Sequence, residues 1–253
     1  MKISIITVCR NCVGSLITTL NSALTQQHHD TEYLVVDGAS TDGTQEFLER
    51  ITPYFGKRLR WISEPDRGIY DAMNKGLNLA TGDVVGFLNA DDVYCSPAVL
   101  RTIEQCFQEH PETDAVHANL EFVNANGRVT RRWAGRPYRV GAFQHGWMPA
   151  HPTFYCRRKC YEQFGTFDCT IGSAADFELM LRFIEKHHIR THFIPQNLIS
   201  MRTGGVSTAG WRAVLRNTRL NQQAFRKNGI FCPWHYCASR FLGKINLFQH
   251  HSS

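Results

Sequence analysis

Gly82-Asp83-Val84-Val85-Gly86-Phe87-Leu88-Asn89-Ala90-Asp91-Asp92 is an apolar run that ends on two adjacent carboxylates, and its reading decides the fold. A buried strand with acids at its carboxyl end is where an α/β sheet presents oxygen ligands to a hard cation and a phosphate-bearing ligand. Taken alone, Asp91 and Asp92 could equally cap a following helix, because Asp is a favoured cap. The flanking sequence tips the balance. Glu32-Tyr33-Leu34-Val35-Val36-Asp37-Gly38-Ala39-Ser40-Thr41-Asp42-Gly43-Thr44 repeats the design of apolar strand, carboxylate and glycine-bearing turn. Ile3-Ser4-Ile5-Ile6-Thr7-Val8 opens the chain as a third strand and runs into Cys9-Arg10-Asn11. Three strands separated by helical stretches, each delivering polar groups at its carboxyl end, predict a nucleotide-binding α/β half whose polar ends converge on one cleft.

Periodicity and turn residues predict strands near 3–8, 32–37, 59–63, 84–89 and 114–122, and helices near 13–26, 43–53, 68–80 and 97–109. The helix at 68–80 gathers Ile69, Met73 and Leu77 on one face and stops at Thr81-Gly82. Its other face carries Asp71, Asn74 and Lys75. Residues 158–168 and 175–188 read as helical. The stretch 124–150, rich in Gly, Arg and aromatics, reads as neither helix nor strand and is assigned to the acceptor side. No internal repeat or low-complexity tract interrupts the chain.

In this order and spacing the motifs resemble those of the inverting family 2 glycosyltransferases of the GT-A fold. The resemblance is carried by Ile5-Ile6-Thr7-Val8, Val35-Val36-Asp37-Gly38-Ala39-Ser40-Thr41-Asp42-Gly43-Thr44, Glu64-Pro65-Asp66-Arg67-Gly68-Ile69-Tyr70-Asp71-Ala72-Met73-Asn74-Lys75-Gly76, Phe87-Leu88-Asn89-Ala90-Asp91-Asp92 and Ala175-Asp176-Phe177-Glu178-Leu179-Met180-Leu181-Arg182. The third block looks most like the subgroup that builds bacterial surface polysaccharides, including the colanic-acid and O-antigen transferases. The implied fold is α/β, a Rossmann-like, mostly parallel sheet flanked by helices, with an acceptor-side region and a basic helical tail. The expected organisation is a GT-A domain over 1–210, with a nucleotide-sugar half at 1–122 and an acceptor half at 123–210, followed by a tail at 211–253.

The resemblance also implies chemistry. Asp91 and Asp92 would hold Mg2+ or Mn2+, which neutralises charge on a leaving diphosphate. Asp176 matches the base that takes the proton of an acceptor hydroxyl, with Ala175-Asp176 standing where the family often has Glu-Asp; Asp176 could alternatively only cap its helix. Glu178 and Asp168 are the next carboxylates. Asp37 is assigned to the base or ribose of a nucleotide, which suggests a UDP-sugar, with Thr7, Arg10, Asp66, Arg67 and Asn74 on the same donor side. His151 matches a segment near the acceptor. Gly204-Gly205-Val206-Ser207 resembles a loop that closes over the diphosphate, and Arg202 just before it could reach phosphate. Asn89 stands where many relatives have Asp, which leaves open which of the two following carboxylates ligates the metal directly. The implied partners are a nucleotide-sugar donor and a growing glycan on a polyprenyl diphosphate lipid. The competing readings are a nucleotidyltransferase, for which Cys9-Arg10-Asn11-Cys12-Val13-Gly14 supplies too little phosphate loop, and a non-catalytic nucleotide-sugar-binding subunit.

The 253 residues are enough for one sizeable core, and 43% hydrophobic with 20% charged residues is ordinary for a globular chain. No apolar run approaches the ~20 residues of a spanning helix, and Met-Lys leads straight into a strand without a signal-peptide core, so the expected location is cytoplasmic. The nine cysteines are odd in number and irregularly spaced. Reduced, unpaired thiols account for them better than a zinc site at Cys156, Cys160, Cys169 and His151, whose gaps fit no standard zinc pattern. Charge is asymmetric: no Asp or Glu follows Glu185, whereas residues 186–253 hold ten Lys and Arg. Interleaved with Trp211, Phe225, Phe231, Trp234, Tyr236, Phe241, Leu242 and Phe248, these suit an anionic membrane surface at the inner face of the cytoplasmic membrane. A solvated basic end remains the alternative, and nothing has the regularity of a base-stacking nucleic-acid module.

Overall fold

The computed structural model describes residues 1–202 and 210–237. In the first part of the chain, strands and helices alternate: β1 (Ile3–Cys9), α1 (Val13–Leu24), β2 (Thr31–Asp37), α2 (Thr44–Phe55), β3 (Leu59–Ser63), α3 (Ile69–Leu79) and β4 (Val84–Phe87). The strands pair in the order β3-β2-β1-β4, all parallel. Because β1 connects to β2 on one side and lies beside β4 on the other, the strand order reverses at the β1/β4 boundary, the position where open α/β sheets leave a crevice.

Side-chain alternation sorts the core into two layers. Ile3 and Ile5 of β1 with Tyr33 and Val35 of β2 face α1 and α2, where Leu16, Leu20, Phe47 and Leu48 are buried. Ile6, Val8, Leu34 and Val36 point the other way and meet Ala72, Met73 and Leu77 of α3. The apolar face expected for the helix at 68–80 is thus borne out for Met73 and Leu77, whereas Ile69 is 51% exposed.

The rest of the described chain extends the sheet with β5 (Asp92–Tyr94), β6 (Ala115–Val123), β7 (Val129–Trp133), β8 (Tyr155–Arg157) and β9 (Thr191–Arg202), and adds α4 (Val99–Glu109), α5 (Arg158–Phe164), α6 (Ala175–Leu181) and α7 (Gly210–Lys227). The order continues β4-β8-β6-β9-β5, with β7 on the outer edge of β6. β8 is antiparallel to both neighbours, and β9 is parallel to β6 but antiparallel to β5. Gly86 makes the join between the halves, since a Cβ there would overlap the Tyr155 ring of β8.

The segment 124–150, expected to be neither helix nor strand, contains β7. Asn124 Oδ1 accepts the Asn126 and Arg128 amides at 3.0 Å, Gly127 has φ 75°, and the resulting turn folds β7 back on β6 with the Arg131 guanidinium 3.8 Å from the Phe122 ring centre. Asn126-Gly127 is a hairpin signal that the composition of the stretch masks. The described part of the basic tail packs on the core: Phe225 lies edge-on to Phe177 at 5.6 Å and to Tyr236 at 5.1 Å, and all three are buried.

Candidate active site

A cavity of about 390 Å³ opens at the carboxyl ends of β1 and β4. The turn after β1 contributes Cys9, Arg10 and Cys12; the loop into α3 and its first turn contribute Asp66, Gly68, Ile69 and Ala72; the end of β4 contributes Asn89, Ala90 and Asp91. Gly38 lets the first two walls meet, because a Cβ on it would collide with Asp66 Oδ2 and crowd Arg10 at 3.3 Å.

The two acids after β4 occupy different environments. Asp91 lines the cavity, its carboxyl raised by burial and pulled back by Arg202, which ends β9. Asp92 is wholly buried as the first residue of β5. Asn89 Nδ2 donates to its Oδ2 at 3.2 Å, and burial followed by the nearby Asp91 pushes its carboxyl up to about 8. Asn89 Oδ1 and Asp92 Oδ1 are both buried without a hydrogen-bond partner among the described residues. Buried acceptors are rarely left bare, and two of them beside a cavity-facing carboxylate form the all-oxygen donor set that suits a hard divalent cation. Among the described residues no three His, Cys, Asp or Glu side chains cluster closely enough to hold a metal. An ion here would therefore draw on the amide oxygen and on oxygens from outside the protein. The same observation removes the grouping of Cys156, Cys160, Cys169 and His151.

Several expected donor-side residues do other work. Asp37 is fully buried: its oxygens accept from the Ser40 amide at 3.0 Å, the Ser63 hydroxyl at 2.5 Å, the Cys9 thiol at 3.7 Å and the Ser40 hydroxyl. These fill its four lone-pair positions, so in this conformation it braces the ends of β1, β2 and β3 and is not presented to the cavity. Thr7 is buried within β1 and does not line the cavity. Arg67 points into solvent and pairs with Asp71 at 2.8 Å. Asn74 is engaged with the backbone in this structure: its amide donates to the Phe167 carbonyl and accepts from the Phe167 amide, both at 2.9 Å. A side-chain amide imitates a peptide group in this way, and it clips α3 to a segment 93 residues away. Lys75 is likewise held, by Glu64 and the Pro65 carbonyl. Arg10 and Asp66 line the cavity.

Asp176 sits in the first turn of α6. The Tyr70 hydroxyl donates to the Ser173 carbonyl at 3.5 Å, and burial and then the nearby Asp176 carboxylate push it up. Ile69 lines the cavity and its neighbour Tyr70 meets Asp176, so the first turn of α3 joins the two sites. His151 is buried, stacked on Phe87 at 5.3 Å with Phe167 at its edge. Burial lowers its tendency to protonate and Asp176 opposes that shift. The alternative acids are committed elsewhere: Glu178 is buried in a two-point ion pair with Arg182 and accepts from Asn228, and Asp168 pairs with Lys227. The expected loop Gly204-Gly205-Val206-Ser207 and the tail aromatics Phe241, Leu242 and Phe248 lie outside the described residues.

Tyr70, Cys9 and Cys12 are site residues to which sequence reasoning gave no role. The thiols had a visible signal, the Cys-x-x-Cys spacing of Cys9-Arg10-Asn11-Cys12, which an overall reading of unpaired cysteines passes over.

The profile described as Glycosyl transferase family 2 matches residues 4–181. A PGL/p-HBAD biosynthesis glycosyltransferase of Mycobacterium bovis (strain BCG / Pasteur 1173P2) is 29% identical over 191 residues, covering 76% of this chain and 73% of the relative. Among solved structures, S. aureus TarS 1–349 in complex with UDP superposes with a TM-score of 0.68 at 20% identity, over 89% of this chain and 65% of that one. The mannosyltransferase PcManGT from Pyrobaculum calidifontis, in complex with GDP-Man and Mn2+, gives 0.67 at 22% identity, over 98% and 70%. The chain spans just under two thirds of the TarS fragment's length. Both superpositions agree with the mixed α/β architecture described above.

Proposed function

The chain belongs to glycosyl transferase family 2, and from that premise we propose that it is an inverting, metal-assisted hexosyltransferase that moves a sugar from UDP to a glycan on a polyprenyl diphosphate lipid. The observation that carries the reading is the junction at α3, where one turn borders both the acid-bearing cavity and Asp176. A nucleotide diphosphate fits the cavity at the β1/β4 switch point, with Arg10 and Asp66 on its walls. Asp91, with the orphaned oxygens of Asn89 and Asp92, would hold Mg2+ or Mn2+; such an ion, when bound, neutralises the charge that gathers on the leaving diphosphate. Arg202, beside Asp91, adds a fixed positive charge on the same side. Asp176 accepts the proton of the acceptor hydroxyl as that oxygen bonds to the anomeric carbon and the carbon–phosphate-oxygen bond opens on the opposite face. With Glu178 and Asp168 already paired, Asp176 is the remaining carboxylate of the three candidates for the base, and a single base favours direct displacement with inversion over a covalent intermediate.

The acceptor and setting follow the resemblance to transferases of colanic-acid and O-antigen assembly, and the mycobacterial relative, a PGL/p-HBAD biosynthesis glycosyltransferase, also serves a biosynthetic assembly. No helix among the described residues is long and apolar enough to cross a membrane. Arg216, Arg219 and Arg226 are exposed on α7, and Phe231 and Trp234 beyond it are 77% and 90% exposed. This surface suits peripheral contact with an anionic leaflet on the cytoplasmic side, with each basic residue contributing ~1 kcal/mol near the surface. Charge reversal at Arg216, Arg219 and Arg226 should release the protein from anionic vesicles at low salt while UDP binding persists.

The test of the function is release of free nucleoside diphosphate from a panel of nucleotide sugars, with and without lipid-diphosphate glycans. Turnover confined to UDP-sugars is expected. Turnover of GDP-sugars alone would overturn the donor assignment.

A further inference from the structure

We propose that Cys9 and Cys12 are a redox dithiol in the wall of the donor cavity, which a hydroperoxide closes into a disulfide that disables donor binding. The proposal rests on reading this cavity as the nucleotide-sugar site. Both residues line the cavity. Asn11 between them takes a left-handed φ of 49°, a tight turn that keeps the two thiols close enough to influence each other's ionisation.

The two sulfurs differ in reactivity. Cys12 is partly exposed and caps the N-terminus of α1. Its thiol is lowered to about 7, first by the neighbouring Cys9 and then by the Arg10 amide and the Ser15 hydroxyl, against the opposing effects of burial and Asp42. It is therefore the attacking thiolate. Cys9 is raised first by Cys12, then by burial and by Asp37, and stays protonated as the resolving thiol. The Cys12 thiolate attacks hydrogen peroxide: a sulfur–oxygen bond forms, the oxygen–oxygen bond breaks, and one water leaves once a proton is taken up. The Cys9 sulfur then attacks the Cys12 sulfur, expelling hydroxide, which leaves as water with the Cys9 proton. Two thiols lose two electrons and one peroxide becomes two waters.

The disulfide reaches the donor site through Asp37. The Cys9 thiol donates to Asp37 Oδ1 at 3.7 Å, and oxidation removes that hydrogen, leaving a fully buried carboxylate short of a donor at the brace of β1, β2 and β3. Cys156 and Cys160 are also neighbours, but both are buried.

The experiment uses the full chain, reduced and then treated with hydrogen peroxide. Remaining thiols are blocked with maleimide and peptides are mapped by mass spectrometry, while UDP affinity is measured by calorimetry before treatment, after it, and after dithiothreitol. A Cys9–Cys12 link, lighter by two hydrogens, should appear together with a loss of about tenfold or more in UDP affinity, both reversed by dithiothreitol. Cys12→Ser and Cys12→Ala, each compared with its own untreated affinity, should not respond. Maleimide on both Cys9 and Cys12 after peroxide, or a mapped disulfide with unchanged UDP affinity, would overturn the proposal. Absence of UDP binding in the reduced protein would instead remove the donor reading, while the disulfide map still reports on the dithiol.

Discussion

Residues 1–91 and residues 115–202 build the two sides of the same sheet by different means. In the first region β1, β2 and β3 each end on a polar turn that leads into a helix, so the groups around the cavity arrive by local geometry. In the second, functional side chains are set by contacts that span the chain: Tyr70 with Ser173 at a separation of 103 residues, Asn74 with Phe167 at 93, and β8 inserted between β4 and β6. Under the proposed function, donor binding belongs to the first region and proton transfer to the second, so the two should be open to separate damage.

Asp176→Asn gives the sharpest separation. It keeps the shape of the side chain but cannot take a proton, so kcat should fall by about 10²–10⁴ while UDP affinity in calorimetry stays within a few-fold. A normal turnover number would move the base away from α6. Damage to the first region should differ in kind: EDTA should abolish turnover and Mn2+ or Mg2+ restore it, and Asp91→Asn or Asp92→Asn should cost roughly 10²-fold with UDP affinity weakened in parallel. Full activity in chelator would dissolve the distinction between the regions as drawn here.

Asn74→Ala attacks the clip between them. Two partly buried hydrogen bonds at about 1 kcal/mol each give a loss of about 2 kcal/mol, or roughly 4–8 °C in the unfolding midpoint. UDP affinity in the folded protein should be nearly unchanged, whereas a large drop would return Asn74 to the donor site.

A further effect concerns pH. Burial raises the Asp92 carboxyl from 3.8 to about 8, so in that window the folded protein keeps a proton that the unfolded chain has released. The stability this contributes is full below about pH 3.8 and gone by about pH 8. In EDTA, wild type should therefore lose stability relative to Asp92→Asn as pH rises through the window, read as the difference between their unfolding midpoints. Parallel curves would mean that Asp92 ionises in place.

The same contrast explains what was legible in the sequence. β1 to β4 and their helices carry period-two strands, glycine turns and acids at strand ends, and their extents were readable to within a few residues. β5 and β8, three residues each, are too short to show a period. β9 carries Pro195 and two register shifts against β6, which hide its alternation. The site was legible in residue types more than in roles. Asp91, Arg10 and Asp66 face the cavity, but nothing local distinguishes an Asn74 that touches a ligand from one that binds a backbone 93 residues on. Likewise, the burial of Asp37 follows from the hydroxyls of Ser40 and Ser63 and the thiol of Cys9, which lie on three separate segments.

The placement of β8 has a consequence for synthesis on the ribosome. β4 carries β1 on one edge, but its other edge is completed only by Tyr155–Arg157. At ~5–20 residues per second, the stretch from Phe87 to Tyr155 takes roughly 3–14 s to translate. During that interval a nascent chain with a finished parallel core presents Val84 and Val85 as an open strand edge. Such an edge pairs readily with another chain, so the yield of this protein in cells should depend on chaperone cover over the first half of its translation more than on the stability of the finished fold.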